Sequence, residues 1–227
     1  YTFFLVTLML TDYKNSMKRQ EKIELLKKVT YSMFPDAKTE LEYNNNFQLL
    51  IAIIMSAQAT DKQVNIINRN FFEFLKTPED GVKLWVEEIT EFISSVSFFN
   101  NKAKNIFKTC EILLKEHSSR PPKTIEQLIK LPGVGIKTAK VYLSVTEDAP
   151  YLWVDTHVHR VLNRVGIVKT NTPEQTDKLA EKILKNEDLA YLHHTLILFG
   201  RYHCTARNPK CSWCPMIHGC SYKEKNL

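Results

Sequence analysis

Glycine is scarce in this chain, with six in 227 residues, and so is the strict apolar–polar alternation that marks exposed strands. Apolar residues recur instead at helical spacing, which predicts an all-α protein. Cysteine is nearly absent from the first 200 residues, where Cys110 stands alone, so a disulfide scaffold is excluded and a reducing compartment is implied. No long apolar run is present. Residues 1–10 (YTFFLVTLML) are too short to span a bilayer and lack the basic flank of a signal peptide. Met17 opens an ordinary amphipathic segment. The expectation is that the natural chain starts there, with residues 1–16 a non-native or disordered extension; a short membrane-directed or organellar segment is the alternative. No membrane partner is expected, and the location is expected to be cytoplasmic, beside the nucleoid if the source is bacterial.

What is present is concentrated at the C-terminal end. Cys204, Cys211, Cys214 and Cys220 follow the spacing C-x6-C-x2-C-x5-C. Four thiolates suit tetrahedral zinc or an iron–sulfur cluster. Structural zinc favours paired C-x2–4-C knuckles, and the gaps of six and five fit these poorly. The chemistry therefore leans towards one [4Fe–4S] cluster per chain. Hydrophobic residues make up 44% of the sequence, enough for a sizeable core, and the formal charge is +6. A [4Fe–4S]2+ core with four thiolates carries a net −2, bringing the loaded chain to about +4. That excess permits nucleic-acid binding without requiring it.

Helix signals follow one another closely. The first segment runs from Met17 to Phe34. A second starts at Phe47 and is apolar all round, so it is predicted to be buried. The third covers 60–76, with Thr60 as N-cap and Pro78 just past its end. Weaker helices are predicted over 80–88 and 89–95. From Asn101 a helix carries Ala103, Ile106, Phe107, Cys110 and Leu114 on one face, which makes Cys110 a core thiol. His117 at its end is given no function. Further helices are predicted over 124–130, 136–146, 156–165, from Thr172-Pro173, and over 188–202, with a hinge near Glu147–Tyr151.

Between two of these helices lies Leu131-Pro132-Gly133-Val134-Gly135. Two glycines allow positive φ and close backbone approach, and the amides of the next helix make an anion site. Taken alone, this is equally a tight turn between helices. Lys137 sits in the first turn of that next helix. A cation there is disfavoured by the dipole, and partial burial is expected to act the same way, both enriching the nucleophilic amine. Asp155, in Trp153-Val154-Asp155-Thr156-His157, is either a plain N-cap or a carboxylate that serves Lys137.

Together the hairpin LPGVGIKTA, the stretch VDTHVHRVLNR, the segment SAQATD at 56–61 and the four-cysteine tail resemble the endonuclease III family, from about Met17 to Tyr222. The resemblance implies a two-lobed helix-hairpin-helix glycosylase fold, with a six-helix barrel over 39–149 and a cluster domain from 17–38 and 150–227. DNA would lie in the cleft between the lobes. It implies a monomeric repair enzyme acting on damaged double-stranded DNA. Such an enzyme removes oxidised or ring-saturated pyrimidines and cleaves the abasic site through a lysine Schiff base. Lys137 would be the nucleophile, Asp155 its partner, and the four cysteines the cluster ligands. Gln58 would fill the gap left by the flipped nucleotide, and Phe98 would wedge into the opposite strand. Leu131, Gly133, Val134 and Gly135 would hold a phosphate, and Arg207 and Lys210 would meet others. Trp213 and Pro215 would shield the cluster from water. Four positions depart from the family pattern: Ile136 for a usual Arg, Ser97 and Phe98 for Gly and Leu, and His159 for an aromatic or aliphatic residue. The mismatch adenine glycosylases share the fold but usually lack the lysine and carry a further domain. A passive DNA-binding module is the rival from another class.

Overall fold

The computed structural model describes residues 17–184 and 188–227, so the expected extension at 1–16 lies outside the described residues. The described residues hold eleven α-helices and no strand. They fall into two compact units, Thr39–Tyr151 and a second built from residues up to Lys38 and from Leu152 onward. No helix of the described residues is long and apolar enough to cross a membrane.

In the contiguous unit the helices are α2 (Asn46–Ser56), α3 (Asp61–Phe74), α4 (Pro78–Lys83), α5 (Val86–Ile93), α6 (Phe99–Glu116), α7 (Ile125–Leu128) and α8 (Ile136–Thr146). The core helix is α2. Asn45 starts it by accepting from the Gln48 N–H, and every residue from Phe47 to Met55 is buried. Apolar side chains on all faces let it pack against α3, α6 and α8 at once. Each buried Leu or Ile contributes roughly 1.5–3 kcal/mol. Gln48, the polar exception, is fully used: Nε2 donates to Phe72 O and Leu75 O, and Oε1 accepts from Asn44 N–H.

The two weak helices lie where the sequence predicted them but with shifted ends. Pro78 does not close α3; it occupies the first position of α4 after Thr77, where its missing N–H is harmless. At Leu84 the backbone turns extended (ψ 135), and α5 restarts with Glu88 accepting from the Trp85 N–H. Local capping chemistry thus divided the segment at 84–85, which periodicity alone did not locate. Cys110 is fully buried, and burial pushes its thiol up to about 12, as expected of an inert core residue.

The other unit contains α1 (Arg19–Met33), α9 (Thr156–Val165), α10 (Pro173–Ile183) and α11 (Leu189–Tyr202). Here α11 packs on both α1 and α9, and α10 packs on α9. Ile23, Leu26, Val158, Val161, Leu196 and Phe199 belong to one buried cluster, so the two ends of the described chain share a core. His159 has a polar reason to replace an apolar residue: its Nδ1 lies 2.7 Å from Thr176 Oγ1 and 3.2 Å from the Asn163 amide, which ties α9 to α10.

Candidate active site and cysteine centre

The hairpin is built by short-range bonds. The Val134 N–H donates to Leu131 O, and Thr109 Oγ1 donates to Pro132 O. Leu131 and Val134 are buried, so they anchor the turn through their side chains, and the Val134 amide is used inside it rather than for a ligand. The two glycines also differ from expectation. Only Gly133 has positive φ, at 79°, and a Cβ there would meet Asn105 Nδ2 at 2.9 Å. Gly135 is the N-cap of α8 at φ −91°, an ordinary extended conformation. A Cβ at Gly135 would meet nothing within 4 Å. The chain itself therefore does not demand glycine there, and a ligand approaching the backbone would. The first turn of α8 holds no acidic residue to neutralise its amides.

Lys137 lies in that turn and is exposed, so burial does not add to the effect of the helix dipole there. Ile136 beside it is 60% exposed, an apolar side chain where the family usually has a cation. Asp155 belongs to the other unit, where it caps α9: Oδ1 accepts from the His157 and Val158 N–H groups. Its structural and chemical readings are compatible, since both bonds fall on one oxygen.

Gln58 and Phe98 share an unusual backbone. Both are exposed, and both stand at φ 58°, the left-handed region that costs a non-glycine residue roughly 1–2 kcal/mol. Phe98 is 64% exposed and opens α6 without a side-chain cap. Exposed aromatic area on a strained turn is a feature that folding alone does not reward.

In the cysteine loop all four thiols line one pocket. Among the described residues no three His, Cys, Asp or Glu side chains converge to hold a single metal ion. Burial pushes the Cys214 thiol up to about 11, and the other three sulfurs add to this by repulsion. Four thiolates here need a cationic core to offset them, so the donor set fits the cluster. Met216, Pro209 and Phe199 line the pocket, and they, not Trp213 and Pro215, provide its apolar shield. Trp213 instead sits edge-on to His203 and is 61% exposed. Arg207 and Lys210 are exposed, with the Lys210 ammonium 5.5 Å from the centre of the Trp213 ring.

Two arginines on α9 were not singled out by the sequence. Arg160 donates to Cys204 O and Gly200 O, and Arg164 to Thr205 O and Ala206 O while lying 4.3 Å over the Tyr222 ring. Their spacing of four along the helix was the available signal, since it puts both on one face.

These features define a helix-hairpin-helix protein of the kind that handles DNA bases. A family model described as HhH-GPD superfamily base excision DNA repair protein matches residues 51–186. Endonuclease III of Rickettsia conorii is 46% identical over 188 residues, covering 83% of this chain and 90% of that protein. Endonuclease III of Escherichia coli is 39% identical over 209 residues, covering 92% and 99%. Among solved structures, a trapped endonuclease III–DNA covalent intermediate in an estranged-adenine complex superposes with a TM-score of 0.82 at 40% identity, covering 90% of this chain and 96% of that one. The chain belongs to the endonuclease III family of the HhH-GPD superfamily.

Proposed function

We propose that this protein excises oxidised or ring-saturated pyrimidines from duplex DNA and cleaves the resulting abasic site. The observation that carries the reading is Lys137, an exposed amine in the first turn of α8 directly after the Gly133–Gly135 hairpin. A phosphate held at the Gly135 end of α8 would bring a nucleotide sugar near that amine.

The damaged base leaves the stack more cheaply than a sound one, which favours lesions. Lys137 Nζ, once deprotonated, forms a bond to C1′ as the bond from C1′ to the base breaks, and the base departs with a proton. Asp155 serves as the carboxylate that accepts the amine proton and offsets positive charge developing on the sugar. Ring opening gives a Schiff base at C1′. Loss of a C2′ proton then expels the 3′ phosphate, and water releases the lysine. Gln58 and Phe98 enter the duplex at the vacated position and opposite it, while Gly133, Gly135, Arg207 and Lys210 hold phosphates. Cys204, Cys211, Cys214 and Cys220 would hold one [4Fe–4S] cluster, whose contribution is a structural cross-link.

Borohydride trapping on a duplex with one thymine glycol tests this. The parent protein should yield a covalent adduct and Lys137→Ala none. Asp155→Asn retains a capping oxygen, so it should fold normally yet trap about 100-fold more slowly or worse. No adduct from the parent on this lesion or on a plain abasic site would sink the lyase assignment.

A further inference from the structure

Among the described residues, Lys102 is the one lysine, arginine, aspartate or glutamate with a buried side chain, at 6% exposure. Its position is doubly unfavourable. Burial strips water from the ammonium and lowers its pKa, and the first turn of α6 places it at the positive end of a helix. A methionine would fill the same space without either penalty.

What the ammonium gains is specific. Nζ donates to Met55 O at 2.8 Å and to Ala57 O at 2.6 Å. These carbonyls lie at the open C-terminal end of α2, the negative end of that helix. Ala57 immediately precedes Gln58, held at φ 58°. The backbone N–H of the same lysine donates to Phe98 O at 3.1 Å, and Phe98 is also at φ 58°. That backbone bond is the ordinary first-turn bond of α6, so the ammonium ties the turn before Gln58 to the first turn of the helix that Phe98 opens. A second tie runs from Gln63 Nε2 to Ser95 O, three residues before Phe98.

We propose that Lys102 is a positioning residue that locks Gln58 and Phe98 into one preformed, two-pronged unit for entry into duplex DNA. The inference rests on the reading of those two residues as the inserted pair. Two strained loops ordered separately would lose freedom at the moment of binding, and a fixed pair has lost it on folding. Lys102 touches no substrate in this account; it acts only through the two turns.

The test uses the full-length, iron-loaded protein with Lys102→Met, and Gln63→Ala as a milder second cut that buries nothing new. Two substrates are compared under single turnover: thymine glycol paired with adenine, and the same lesion facing an abasic spacer, where unpairing is already done. A 2-aminopurine beside the lesion reports unstacking on binding, independently of cleavage. Lys102→Met should slow reaction on the paired lesion about 10- to 100-fold, as misplaced positioning does, and much less on the unpaired one. It should also lose most of the fluorescence rise, with Gln63→Ala changing both in the same direction by less. Equal losses on the two substrates, or an unchanged fluorescence rise, would overturn the proposal. If Lys102→Met does not fold, Gln63→Ala decides by the same two readouts. Parent protein that unstacks the duplex without cutting it would defeat the lyase reading instead, and the fluorescence of the variants would still judge Lys102.

Discussion

The Thr39–Tyr151 unit closes around an apolar helix, whereas the other unit has its own apolar core and, beyond it, a C-terminal segment held largely by specific bonds. In the first, nine consecutive buried residues of α2, from Phe47 to Met55, form the centre of the core, and Phe71, Ile89, Ile106 and Leu143 from other helices pack into the same cluster. In the second, the segment after Tyr202 forms no helix or strand, and Pro209 and Met216 are its buried apolar side chains. Arg160 and Arg164 hold that segment through hydrogen bonds to the carbonyls of Cys204, Thr205 and Ala206. The same chain thus uses two sources of order, one non-directional and one made of specific bonds.

Removing a ligand should break this contrast most sharply. Cys214→Ser is expected to lose bound iron and the visible absorbance that accompanies it. The loss should be on the order of 4 kcal/mol, the stabilisation from a ligand at a thousand times its Kd. Hydrogen exchange should show amides of Thr156–Val165 and Leu189–Tyr202 opening while those of Phe47–Met55 stay protected. Equal opening in both units would show that the cluster supports the whole molecule.

A finer comparison lies within the hairpin. Gly133→Ala should destabilise the protein by at least 1–2 kcal/mol, roughly the cost of left-handed φ, with the Asn105 clash added. Gly135→Ala should leave stability within about 1 kcal/mol, because its φ of −91° suits alanine and open space surrounds it. Yet it should weaken DNA binding by about 1.5–3 kcal/mol if it costs one charge-assisted phosphate contact. Paired thermal melts and anisotropy titrations would reveal this reversal; two glycines that behave alike would remove the distinction between folding and binding roles.

The smallest expected effect is a gain. Ile136→Arg restores a cation beside the hairpin at an exposed site, so stability should hardly change. DNA affinity should rise, and the slope of log K against log salt should steepen by about 0.9 for one added phosphate contact. An unchanged slope would mean that position 136 does not face a phosphate.

Much of the fold was legible because caps are local. Thr60, Thr124, Asp155, Thr172 and Asp188 each start a helix by accepting from an N–H two or three residues on, and each is readable as a short polar residue before an apolar period. The boundary at Leu84–Trp85 was not legible, since two acidic residues, Asp80 and Glu88, competed to start helices in one stretch. For the candidate site, residue types and order were visible, and so was the donor chemistry of the four cysteines. Exposure was not: whether Lys137 is partly buried was not readable, and Trp213 and Pro215 were expected to cover the cysteines. Burial depends on what other segments place nearby, and no window of sequence contains that.

By itself, then, the sequence determined an all-helical chain, the hairpin between two helices, the thiolate set and the endonuclease III resemblance, because each is carried by residues close together along the chain. Tertiary structure alone decided that Lys102 reaches back 45 residues to Ala57 O, that α9 arginines grip a loop 41 to 44 residues away, and that Gly133 rather than Gly135 bears the backbone constraint. Those outcomes depend on packing contacts between distant segments, and such contacts exist only once the core has closed.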